Sequence, residues 1–264
     1  MRIGIFDSGL GGLIITKAII KKLPKYDYIY LGDTKRVPYG NRSQETIYEF
    51  TKQAVDFLFK QNCALIIIAC NTASSMALRR IQQEYLPVSY PDRRVLGVIV
   101  PTVEEIGKRP KKIGVLATTS TVESHAYKKE LSKVNPKIKI VEQQAPLLVP
   151  IIESNALQYA DSILKSYIKP LMNKKVDDIL LGSTHYSILK AKIKKIVGEK
   201  IKIISQEEII PRKLKNYLLR HPEIDKKLSK NRKRIFEITD KNTNFDAVAK
   251  TLFGRKLKFK LVNY

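Results

Sequence analysis

The feature that most constrains this chain is a repeated alternation. Short β-branched runs give way to longer segments of helical spacing, and nearly every run stops at a small polar cluster. Arg2–Phe6, Tyr28–Leu31, Ala64–Ala69, Val95–Val100, Lys112–Ala117, Ile138–Val141, Asp178–Leu181, Ile201–Ile204 and Ile235–Thr239 are predicted strands. Between them, Leu13–Lys22, Ser43–Lys60, Thr72–Tyr85, Val122–Lys133, Tyr159–Met172, Ser187–Val197, Pro211–Leu219 and Phe245–Phe253 carry the length and periodicity of helices. A run apolar at every position, such as Ile66-Ile67-Ile68, suits a strand covered by helices on both faces. The expected class is α/β with mainly parallel sheets.

The chain also echoes itself. Ile67–Thr72 matches Leu180–His185, and Gly4–Ser8 matches Gly114–Thr118. Two similar halves related by a pseudo-twofold axis would present two sets of strand ends to a shared cleft. The segment Val88–Arg94, preceded by Pro87, is a plausible crossing between them. The expected division is residues 1–94 plus 206–264 as one domain, the C-terminal segment completing it, and 95–205 as the other.

Composition narrows the function. Of 264 residues, 49 are Lys or Arg and 25 are Asp or Glu, a net charge of +24. A field of this size concentrates anions and predicts weak, nonspecific nucleic-acid binding. The basic runs, densest at Lys190–Lys195 and Asn231–Arg234, lack the interleaved aromatics that stack bases. A hydrophobic content of 44% argues against disorder. The longest apolar stretches, Ala64–Ala69 and Leu147–Ile152, fall well short of the ~20 residues that span a bilayer. With no long apolar stretch at the start, the expectation is a cytoplasmic chain without membrane insertion.

Several residues are candidates for chemistry. Gly9-Leu10-Gly11-Gly12 follows a strand and opens a helix, but Ile14 stands where a dinucleotide fingerprint needs its third glycine, and no Walker pattern occurs. The glycines either let backbone N–H groups approach a ligand carboxylate or permit a tight turn. Cys70 ends a buried run before a helix start, where the helix dipole is expected to lower a thiol pKa of about 8.5. Its alternative is a structural cysteine, the role expected of Cys63. His185, in Gly182-Ser183-Thr184-His185-Tyr186, sits where a proton shuttle or ligand-binding imidazole belongs. His125 and His221 read as ordinary helix-associated residues. Ser183 lacks the G-x-S-x-G elbow of a hydrolase nucleophile. Without H-E-x-x-H or C-x-x-C, no metal or other cofactor is expected.

Taken together, Gly4–Gly12, Gly32–Gly40, Ala69–Ser74, Gly114-Val115 with Thr118, Thr121 and Ser124, Pro150–Glu153 and Leu181–Tyr186 resemble the glutamate racemases, within the cofactor-independent aspartate/glutamate racemase superfamily. The resemblance runs through almost the whole chain. It implies interconversion of L- and D-glutamate by proton removal on one face and return on the other, supplying D-glutamate for peptidoglycan. Inversion through a planar carbanion needs an acid/base group on each side.

In the family those groups are two cysteines. Cys70 matches the first, whereas Ser183 occupies the second position in an otherwise intact context. A hydroxyl is a far weaker acid than a thiol, so activity is expected to be reduced or lost. An engineered inactivation, a natural variant helped by His185 or water, and a changed reaction all remain open.

By the same resemblance Asp7 supports proton transfer at Cys70, and His185 with Glu153 does so at Ser183. Ser8, Pro38, Tyr39, Gly40, Asn71, Thr72, Thr118, Thr121 and Thr184 then bind the substrate. The resemblance further implies a homodimer. Two rivals are a different carbanion enzyme, such as a racemase for another acid or a single-thiol decarboxylase, and a non-catalytic protein binding glutamate or an acidic partner such as DNA or gyrase.

Overall fold

The computed structural model describes residues 1–107 and 112–264. Among these, ten strands are formed: β1 (Arg2–Asp7), β2 (Tyr28–Gly32), β3 (Cys63–Ile68), β4 (Arg94–Gly97), β5 (Lys112–Ala117), β6 (Lys139–Gln144), β7 (Asp178–Gly182), β8 (Lys202–Ile204), β9 (Arg234–Ile238) and β10 (Lys260–Leu261). They make two all-parallel sheets, one in the order β10-β9-β2-β1-β3-β4 and one in the order β6-β5-β7-β8. The second order repeats the β2-β1-β3-β4 portion of the first. In each, the chain leaves its first strand for one neighbour and later returns to the opposite side. That reversal splays the connections apart and opens a crevice at the strand C-terminal ends, between β1 and β3 and between β5 and β7.

Burial explains why the all-apolar runs become central strands. Every residue of β3 is buried. Its side chains alternate, Leu65 and Ile67 packing with Leu13, Ile15, Leu214 and Leu218 on one face, Ile66 and Ile68 with Ile47, Val55 and Leu58 on the other. The first face meets helices Gly12–Lys22 and Gln206–Arg220, the second helix Gln44–Lys60. The Gly12–Lys22 side of this core runs on through Leu116, Leu148, Leu181 and Tyr186 of the second sheet and its helices, so the two halves share one apolar interior.

Several expectations need correction. The strand expected at Val95–Val100 ends at Gly97, and a helix begins at Ile99 with Pro101 in its first turn, where the missing N–H costs nothing. This β4 pairs with β3 in the first sheet. The helix expected over Thr72–Tyr85 is interrupted at Ala77 and passes through a wider π turn at Ile81–Tyr85. His125, at φ 51°, divides the helix expected over Val122–Lys133 into Thr119–Glu123 and Ala126–Val134. Pro211, read as a helix start, lies inside a helix that opens at Gln206. No helix among the described residues is long and apolar enough to cross a membrane.

Candidate active site

The four central strands deliver their following residues to one place. Ser8 follows β1, Cys70 follows β3, Thr118 follows β5 and Ser183 follows β7. All four line one cavity. Pro38, Tyr39, Gly40, Asn71, Thr72, Thr184 and His185 line it too, as do Val37, Asn41, Pro146, Val149 and Pro150. Those last five are not among the expected site residues: Val37, Pro146, Val149 and Pro150 are apolar wall positions, which carry no chemical signature in a sequence, and Asn41 stands in no recognisable motif. Asp7, Glu153 and Thr121 do not line the cavity and stand behind residues that do.

On the β3 side, Cys70 Sγ lies 3.1 Å from Ser8 Oγ and accepts the Ala73 N–H at 3.4 Å. The helix dipole does not prevail over burial here. The helix Asn71–Met76 is only six residues long, and burial, followed by the charge of Asp7, pushes the thiol up to about 11 against the help of Ser8 and Ala73. Burial also raises Asp7, although the His185 charge and the Gly12 and Gly9 N–H groups oppose it. Its Oδ2 accepts from Gly9 N at 3.0 Å and its Oδ1 from Thr184 Oγ1 at 3.4 Å, so this carboxyl touches both halves.

On the β7 side, His185 Nε2 lies 2.9 Å from Glu153 Oε1. Burial works against the His185 cation, but the hydrogen bond and charge of Glu153, with Asp7, outweigh it and raise the imidazole. The glycine cluster explains how this pair fits. A Cβ on Gly11 would lie 2.4 Å from both His185 Nδ1 and Thr184 Oγ1, and one on Gly9 would lie 2.4 Å from Glu153 Oε1. None of the three glycines lines the cavity. Gly9 and Gly11 instead admit the other half's side chains to the backbone, a role neither sequence reading included.

The remaining wall is braced across the halves. Ser120 Oγ donates to Gly40 O at 2.7 Å, and Thr72 Oγ1 lies 3.0 Å from Thr118 Oγ1. Thr118 and Thr121 hydroxyls are 2.9 Å apart. The Tyr39 hydroxyl is committed to Asp33 Oδ2 at 2.6 Å, which leaves its ring and backbone to face the cavity. Among the described residues no cluster of His, Cys, Asp or Glu is arranged to hold a metal ion.

The cavity thus brings a thiol and a hydroxyl, each following an equivalent strand, to one place. Residues 3–209 match the Asp/Glu/hydantoin racemase family. The glutamate racemase of Geobacter metallireducens is 37% identical over 259 residues, 97% of this chain and 93% of the relative. The crystal structure of Francisella tularensis glutamate racemase in complex with D-glutamate is similar at a TM-score of 0.89 and 32% identity, covering 99% of this chain and 97% of that one. The glutamate racemase structure from Aquifex pyrophilus is similar at a TM-score of 0.80 and 36% identity, over 99% and 98% of the two chains. The chain belongs to the Asp/Glu/hydantoin racemase family and, within it, groups with the glutamate racemases.

Proposed function

We propose that the chain acts on glutamate as a racemase whose two faces are unequal, with Cys70 as the proton carrier on one and Ser183 on the other. The observation that carries this reading is that both residues, following the equivalent strands β3 and β7, line the same cavity. The complex of the Francisella tularensis relative with D-glutamate supports the substrate class. Hydroxyl and amide groups of Ser8, Asn71, Thr72, Thr118 and Thr184 suit the carboxylates and ammonium of an amino diacid, and stabilise charge developing at the α-carbon.

In this mechanism Cys70 first passes its own proton to the Asp7 carboxylate behind it and then, as thiolate, takes the α-proton of D-glutamate, by family analogy. Ser183 must then return a proton on the opposite face. Its hydroxyl holds its own proton too tightly for efficient exchange, so the cationic tendency of His185, held by Glu153, supplies the acid on that side. The basic surface draws the anionic substrate inward. Residence in the cytoplasm and pairing of two copies complete the reading.

The test is incubation of each enantiomer in deuterated water. Deuterium should enter D-glutamate while interconversion stays slow, and Ser183→Cys should raise interconversion by about 10²–10⁴-fold, the usual worth of a positioned acid/base group. Unchanged inactivity of the cysteine variant would overturn this account, and rapid interconversion by the unsubstituted chain would show that serine suffices.

A further inference from the structure

Gln206 opens the helix Gln206–Arg220, is 2% exposed, and does not line the cavity. Its carboxamide meets that of Asn71 edge to edge. Asn71 Nδ2 donates to Gln206 Oε1 at 2.7 Å, and Gln206 Nε2 donates back to Asn71 Oδ1 at 2.9 Å. The Tyr127 hydroxyl closes the ring, donating to Asn71 Oδ1 at 2.5 Å and accepting from Gln206 Nε2 at 2.9 Å. Thr102 lies beside it, and none of the four residues is more than 3% exposed.

Counting valences shows what this ring leaves for a ligand. A carboxamide oxygen has two lone pairs and its nitrogen two hydrogens. Both lone pairs of Asn71 Oδ1 are taken, by Tyr127 and Gln206, and one Nδ2 hydrogen is taken by Gln206. What remains on a residue that lines the cavity is one N–H donor.

The ring by itself would also close with both amides turned over and the Tyr127 proton redirected, leaving Asn71 with a spare acceptor instead. Thr102 breaks that symmetry. Its hydroxyl gives its only proton to Val98 O at 2.7 Å, so toward Gln206 it accepts, 3.5 Å from Nε2, whose other hydrogen is shared between Asn71 Oδ1 and the Tyr127 hydroxyl. A turned Gln206 would set oxygen against oxygen with no proton between them, in a buried place where such a mismatch is costly.

We propose that Gln206 is a positioning residue. With Tyr127 and Thr102 it holds Asn71 so that the cavity meets an N–H and not an oxygen, which favours a carboxylate over an amide at that point of the ligand. This rests on the glutamate reading and deepens it: the ring selects an acid against its amide.

The test is calorimetric binding of D-glutamate, D-glutamine and D-isoglutamine to the full chain and to its Gln206→Met and Tyr127→Phe variants. The unsubstituted chain should prefer D-glutamate to one of the two monoamides by about tenfold or more, the scale of one well-made charged hydrogen bond. In Gln206→Met, Asn71 is free to turn. D-Glutamate should weaken by about tenfold, and its margin over that monoamide should shrink, because Asn71 then offers either edge. Tyr127→Phe, which removes only the hydroxyl and keeps the ring volume, should move both quantities the same way by less. Deuterium exchange into D-glutamate should show a raised KM with kcat little changed.

An equal loss for all three ligands, or unchanged discrimination in both variants, would overturn the positioning role. If the unsubstituted chain bound none of the three, the glutamate reading itself would fall, and this inference with it. Binding of D-glutamate that is insensitive to both substitutions would overturn the inference alone.

Discussion

At neutral pH the Cys70 thiol, pushed up to about 11 by burial and then by Asp7, keeps its proton, so the resting site holds a thiol and not a thiolate. Below that value the thiolate fraction grows with pH. Alkylation of Cys70 by iodoacetamide should therefore rise about tenfold per pH unit between pH 7 and 9, without the levelling near pH 8.5 of a free thiol. Mass spectrometry of the labelled protein checks this, and a plateau by pH 9 would contradict it. Cys63, fully buried inside β3, should stay unlabelled in the folded chain. At this scale two cavity-lining residues were legible, Cys70 because a rare thiol ends an apolar run, and Ser183 only through the resemblance carried by Leu181–Tyr186. Gln206 was not: its partner Asn71 lies 135 positions away, and a buried amide looks like any polar helix residue in a sequence.

Between elements, one exacting contact lies beneath the start of helix Gly12–Lys22. There the backbone at Gly11 approaches Thr184 and His185, which follow β7, with no room for a Cβ. Gly11→Ala should destabilise the chain by about 1–3 kcal/mol, the usual cost of overpacking, and slow deuterium exchange by displacing His185 from Glu153. Denaturant unfolding and the exchange assay measure the two effects, and a neutral result in both would show that the neighbouring side chains move aside freely. The sequence revealed the strands well because fully buried parallel strands read as unbroken apolar runs. It misplaced helix ends where tertiary contacts override local signals. Pro211, a sound start signal, sits within a helix that begins at Gln206, where the Asn71 and Tyr127 partners are met. The left-handed turn at His125 has no glycine to announce it.

For the whole molecule, a net charge of +24 surrounds a cavity built for a small polar ligand. Any hold on nucleic acid should be electrostatic alone, falling steeply and linearly on a logarithmic salt scale and becoming negligible by about 150 mM. Fluorescence anisotropy with a duplex of random sequence tests this. Retention that survived such salt would favour the rival reading of an acidic-partner binding protein.

The repeated order of strands has a further bearing. Since β3 and β7 occupy the same place in their respective sheets, sulfur and oxygen stand in two copies of one architectural position within a single molecule. Under the proposed two-sided transfer, the two mirror-image forms of the ligand would interrogate the two positions separately. The ratio of their isotope uptake compares a chalcogen with its lighter neighbour inside one scaffold, free of the differences between separate preparations.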